Sequence, residues 1–86
     1  MKIRYSRDAL KFLAKLDQKS VERVRTAIGG LTKTPPEGDI KPLKGYSDGR
    51  QRLRVGGWRI IFKRDFSEKV EVLFVMDIGN RGDIYK

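Results

Sequence analysis

The residues whose types and spacing are suited to chemistry are cations gathered in a short basic hairpin, Arg50 to Phe62, RQRLRVGGWRIIF. Arg50, Arg52 and Arg54 stand at every second position and alternate with Gln51, Leu53 and Val55, the period of a strand whose two faces differ in chemistry. Gly56-Gly57 is a pair able to take the positive φ angles of a two-residue turn, after which the chain returns through Trp58 to Phe62. That turn sets residue 55 opposite 58, 54 opposite 59, 52 opposite 61 and 50 opposite 63. Leu53, Val55, Trp58, Ile60 and Phe62 then share one face, while Arg50, Arg52, Arg54, Arg59 and Lys63 share the other with only Ile61 among them. Like charges on adjacent strands repel, so such a face calls for an anion. Guanidinium groups are planar donors that fit phosphate oxygens in pairs, which makes a polyanion the natural occupant. A merely solvated charged face opposite a core face, with arginine stems covering apolar surface, accounts for the same residues without a ligand.

The rest of the composition narrows the chemistry. With no cysteine, a disulfide scaffold, a thiolate zinc site and a cysteine nucleophile are all excluded, and with no histidine the usual general base and commonest metal ligand are missing. The carboxylates are scattered and form no DxD or ExxE cluster, so neither a metal nor a cofactor is expected. Twenty Lys and Arg against 11 Asp and Glu give a net charge of +9, typical of chains that meet nucleic acid, acidic lipid or an acidic protein. No apolar run has the length of a signal peptide or a membrane span, so the expected location is the cytoplasm. Eighty-six residues are expected to form a single domain, residues 1–86.

The elements that must position the cations follow in chain order. Lys2 to Tyr5 reads as a short strand with Ile3 and Tyr5 facing one way. Ser6 is an N-cap and Asp8 suits the first turn of a helix whose Ala9, Phe12, Leu13 and Leu16 recur at helical spacing to about Leu16. Asp17 caps a second helix, with Val21, Val24, Ile28 and Leu31 as its stripe and Gly29-Gly30 near its end. Thr32 to Gly49 is a long connection in which Ile40, Leu43 and Tyr46 pack down, leaving Lys41 and Lys44 at the rim of the basic face. After the hairpin, Arg64 to Lys69 is expected to turn, Val70 to Met76 to run as a strand buried on both faces in the middle of the sheet, and Gly79-Asn80 and Gly82 to bend the chain before a last short strand at Ile84-Tyr85. The expected class is α+β: a small, mostly antiparallel sheet with an N-terminal strand and a two-helix hairpin on one face, β-α-α-β-β-β.

Several phrases in this order carry a resemblance over essentially the whole chain. They are Ala9-Leu10-Lys11-Phe12-Leu13 with Leu16-Asp17, Lys41-Pro42-Leu43-Lys44-Gly45, Arg52 to Phe62, and Gly79-Asn80-Arg81-Gly82-Asp83-Ile84-Tyr85. On these the sequence resembles the RelE/ParE superfamily of toxins from toxin-antitoxin systems. RelE-branch proteins bind the ribosomal A site and cut mRNA there, whereas ParE-branch proteins poison DNA gyrase. By position, the resemblance implies catalytic roles for Arg50, Arg52, Arg59, Arg81 and Tyr85 and a basic contact at Lys44; Lys41, Arg54 and Lys63, on the basic face or at its rim, complete the expected RNA contacts. It also implies two partners: a cognate antitoxin that neutralises the basic face, and mRNA on the ribosome beside 16S rRNA. The chain departs from the best-known RelE pattern in having arginine for lysine at 50 and 52 and a shorter spacing from Arg81 to Tyr85. The sequence stops one residue after Tyr85, so the C-terminal helix of some relatives is not expected.

Metal-free RNA cleavage requires a deprotonated 2′-hydroxyl, a stabilised pentavalent phosphate and a protonated 5′-oxygen leaving group. Arg59 and Arg52 suit the second requirement, because fixed donors need no reorganisation as charge develops. Arginine stays protonated at neutral pH, so Arg50 and Arg52 are poor bases. Tyr85 is the better base or stacking partner, and Arg81 suits the leaving oxygen. Trp58 is expected in the core, Tyr46 as a loop anchor or an RNA contact, and Arg54 against either phosphate or a carboxylate such as Asp77. Three activities compete on these grounds: a ribosome-dependent endoribonuclease, a gyrase poison, and a nucleic-acid-binding module without catalysis.

Overall fold

The computed structural model describes residues 2–67 and 69–80. Its elements are β1 (Lys2–Tyr5), α1 (Arg7–Ala14), α2 (Gln18–Gly30), β2 (Asp39–Pro42), β3 (Gln51–Val55), β4 (Trp58–Ser67) and β5 (Val70–Asn80). The fold is α+β, one sheet in the order β1-β5-β4-β3-β2 carrying both helices on one face. All neighbouring strands are antiparallel except β1, which runs parallel to β5, so the sheet is mixed.

Local chemistry explains where the helices start. Ser6 caps α1 by accepting from the Ala9 N–H at 3.0 Å, and Asp17 caps α2 by accepting from the Ser20 N–H at 3.3 Å. Ser6 also binds the sheet, its hydroxyl donating to the Met76 carbonyl at 2.7 Å and its N–H to the Val75 carbonyl at 2.9 Å. One residue thereby ends β1, begins α1 and ties both to β5. At the far end of α2, Arg64 of β4 donates to the Leu31 carbonyl at 3.0 Å, placing a cation at the negative end of the helix dipole.

The helices bury Ala9, Leu13, Val24, Ile28 and Leu31 against Leu53, Ile60, Phe62, Leu73, Val75 and Ile78 of the sheet, with Ile3, Tyr5, Val55 and Trp58 packed at the margin. Each large side chain sealed there contributes about 1.5–3 kcal/mol relative to exposure. The β3–β4 hairpin has the expected register, Val55 opposite Trp58, Arg54 opposite Arg59 and Arg52 opposite Ile61. Of the two turn glycines only Gly56 takes a left-handed φ, +57°, as in a type II′ turn, where glycine holds the first central position.

Four expectations need correction. The connection after α2 contains a strand, β2, which pairs Asp39 with Arg54 and Lys41 with Arg52. Gly38 leads into it at φ +130°, where a Cβ would lie 2.6 Å from a Leu53 methyl, so the close approach of β2 to β3 depends on glycine there. Arg64 to Ser67 continue β4 instead of turning, and Gly79-Asn80 continue β5 opposite Arg59 and Trp58 instead of bending. The central strand is β4; β5 lies between β1 and β4 and buries Leu73 and Val75 on the helix side, with Val72 and Phe74 only half-buried opposite. Alternation along β5 is hidden in the sequence because Val72 and Phe74 on the uncovered face are apolar too, and a bulge then shifts its phase: Phe62 pairs with Val75 but Ile61 with Asp77, leaving Met76 unpaired. The last strand expected at Ile84-Tyr85 lies outside the described residues.

Candidate functional site

Because the helices cover only one side, strand parity sends a defined set of side chains to the other. From β4 come Arg59, Ile61, Lys63 and Asp65, from β5 Val72, Phe74 and Asp77, from β3 Arg52 and Arg54, from β2 Asp39 and Lys41, and from β1 Lys2 and Arg4. Arg54 and Arg59 are directly opposed on this helix-free face, one pair in from the Gly56-Gly57 turn. Lys44 lies just beyond β2 and is exposed, at the rim where the sequence placed it.

The arginines of the first hairpin strand have carboxylate neighbours. Arg50 makes a two-point contact with Asp48, Nε to Oδ1 at 3.0 Å and Nη2 to Oδ2 at 2.8 Å, while its guanidinium lies 4.0 Å from the ring centre of Tyr46. The Arg50 hydrogen bond is the main reason that the Asp48 carboxyl is held down to about 2, and the same bond raises the pKa of Arg50. Lys63 adds a weaker pull on Asp48. Arg52 is 3% exposed; its Nη2 lies 3.7 Å from Asp39 Oδ1 and its buried Nη1 has no hydrogen-bond partner. Arg54 is more open, with Nε 3.7 Å from Asp39 Oδ2. A single exposed carboxylate thus stands between two guanidiniums at equal distance, beyond hydrogen-bonding reach of both.

The sequence-predicted residues divide accordingly. Arg52, Arg54, Arg59, Lys41 and Lys63 share the helix-free face, and Arg50 sits at its end clamped by Asp48 and Tyr46. Arg81 and Tyr85 lie outside the described residues. The carboxylate beside Arg54 is Asp39 and not Asp77, whose side chain accepts from the Ile78 N–H at 2.9 Å. Tyr46 is half-exposed and stacked on Arg50, and Trp58 packs against the core margin with Arg23 5.8 Å from its ring centre. Sequence reasoning missed Asp39 and Asp48. The signal for Asp48 was its position two residues before Arg50; Asp39 needed β2 to be recognised as a strand. Among the described residues no group of three or more His, Cys, Asp or Glu side chains is placed to hold a metal, and no helix is long and apolar enough to cross a membrane.

Residues 3–85 match the family described as ParE toxin of type II toxin-antitoxin system, parDE. The chain belongs to this toxin family, within the RelE/ParE superfamily. Solved structures agree with that placement. RelE in the archaeal RelE-RelB complex of Pyrococcus horikoshii OT3 is 23% identical, with 95% of this chain and 96% of that one covered and a TM-score of 0.71. The YoeB/ParE toxin from Agrobacterium tumefaciens is also 23% identical, over 94% and 99%, with a TM-score of 0.76. The isolated E. coli RelE toxin is 28% identical over 98% and 89%, with a TM-score of 0.65. Among curated proteins the sequence has no significant match. The protein is therefore a toxin of the toxin-antitoxin kind; in the solved complexes RelB is the partner of RelE.

Proposed function

We propose that this toxin is a RelE-type endoribonuclease that cuts mRNA in the ribosomal A site by attack of a 2′-hydroxyl on the neighbouring phosphorus. The 2′-oxygen–phosphorus bond forms as the bond to the 5′-oxygen breaks, the 2′ proton passes to a base and the departing oxygen gains one. The observation that carries this reading is the convergence of Arg59, Arg54, Arg52 and Lys63 on the side of the sheet that the helices leave uncovered. There Arg59, on the central strand, would stabilise the pentavalent phosphate; Lys41 and Lys44 would hold the RNA backbone, and Arg81 and Tyr85 would move the protons. The donors are assembled before substrate arrives, which is where electrostatic catalysis draws most of its advantage. An efficient base is lacking among the arginines, so much of the acceleration would come from an mRNA already held in line by the ribosome. Activity on free RNA should be low.

Toeprinting of a translated message tests this: wild-type protein is expected to produce new cuts at A-site codons, and Arg59→Ala to slow them about 10²–10³-fold. No new cuts, with wild type indistinguishable from Arg59→Ala, would remove the nuclease reading. A second reading, a gyrase poison, is favoured by the carboxylates already beside Arg50, Arg52 and Arg54 and by the family description that the chain matches. Stabilised gyrase–DNA cleavage complexes with intact mRNA would select it.

A further inference from the structure

We propose that Asp39 is a displaceable internal anion, holding the place between Arg52 and Arg54 that a phosphodiester takes when nucleic acid binds. This rests on the helix-free face being the nucleic-acid surface, and it adds a residue that competes with the ligand. The Asp39 carboxylate lies 3.7 Å from Arg52 Nη2 and 3.7 Å from Arg54 Nε, with each of its oxygens turned to a different arginine. Neither contact is a hydrogen bond, so what it supplies is charge compensation that a stronger acceptor can replace. Arg52 meanwhile retains a buried Nη1 with no partner, a state that is costly and leaves demand for a further acceptor. A phosphate offers more acceptor oxygens than a carboxylate and matches guanidinium forks in pairs.

The position of Asp39 also allows it to leave. It opens β2, a four-residue edge strand paired only to β3, and half of its side chain is exposed. Asp48 provides the contrast, since it is locked to Arg50 by hydrogen bonds as short as 2.8 Å and does not share its charge between two arginines.

The test is equilibrium binding of a 2′-O-methyl RNA oligonucleotide, which cannot be cleaved, across a salt series. Asp39→Asn is expected to bind about fivefold tighter at low salt. Its plot of log affinity against log salt should steepen by about 0.7, the value for one more neutralised phosphate on a single strand. Both gains should vanish when Arg54→Ala is also present. Glu22→Gln, which raises net charge equally from α2 on the opposite side, should do neither. Equal effects from Glu22→Gln and Asp39→Asn would reduce the matter to overall charge and overturn the proposal. Weaker binding by Asp39→Asn, or its failure to fold in a thermal melt, would make Asp39 a fixed support of the arginines and also overturn it. Wild-type binding no better than that of Arg59→Ala would instead remove the nucleic-acid face itself.

Discussion

Asp48 determines how Arg50 is presented in the toxin without its partners. The two-point contact together with the Tyr46 ring leaves the guanidinium clamped at edge and face, so Arg50 acts first as a brace for the chain entering β3. The pair has a pH signature. Asp48 has its pKa lowered from 3.8 to about 2, chiefly by the Arg50 hydrogen bond, so the stability it confers is fully present above pH 3.8 and is lost as pH falls through about 2. Urea unfolding midpoints should therefore drop more steeply for wild type than for Asp48→Asn over that window; parallel curves would show that the bond does not persist in solution. At this scale the sequence was informative where partners are near in the chain, as with Asp48 and Arg50. It was silent where they are not: Arg54 meets Asp39 from another strand, and nothing local to either residue encodes the meeting.

Among the elements, the β3–β4 hairpin was legible because its turn, alternation and register are all local. A Gly-Gly pair and a change of chemistry at every second residue suffice to sort its faces. The turn glycines are nevertheless unequal. Gly56 has φ +57° and a Cβ there would lie 3.1 Å from Arg23 Nη2, whereas nothing lies within 4 Å of a Cβ at Gly57. Gly56→Ala is expected to cost about 1–2 kcal/mol and Gly57→Ala less than about 0.5 kcal/mol, measured as a difference in thermal midpoint. Ser6→Ala should cost about 1–2 kcal/mol, because it removes the cap of α1 and leaves the Met76 carbonyl without its donor. The strand β2 escaped notice for a physical reason: Asp39–Pro42 has Ile40 as its one apolar residue and ends on a proline tolerated only because the strand is an edge. The parallel pairing of β1 with β5 joins residues about 70 apart, and no periodicity reports it.

For the molecule as a whole, the division into a helix-covered side and a cationic side follows from one alternating pattern repeated across neighbouring strands. A net charge of +9 on 86 residues opposes compaction, because repulsion among the cations outweighs attraction to the few carboxylates. Raising NaCl from about 20 to 200 mM should therefore raise the thermal midpoint, since screening relieves the repulsion. A fall would mean that the ion pairs of Asp39, of Asp48 and of Glu71, whose Oε1 lies 3.7 Å from Arg64 Nη1, outweigh the repulsion. The extent of the cationic side was foreseeable from Arg52, Arg54, Arg59 and Lys63. Its internal compensation was not, because that depends on how the long connection folds back beside β3.

The unpaired Met76 has a consequence for chain length. Upstream of it the odd-numbered residues Leu73 and Val75 point to the helices; downstream the even-numbered Ile78 does. Excising that single residue would leave Asp77 opposite Ile61 and Ile78 opposite Ile60, because Val75, Asp77 and Ile78 already alternate inward, outward and inward once the extra residue is left out. Homologous chains should accordingly be able to lose the residue between Val75 and Asp77 while keeping the facing of the strand on either side of it.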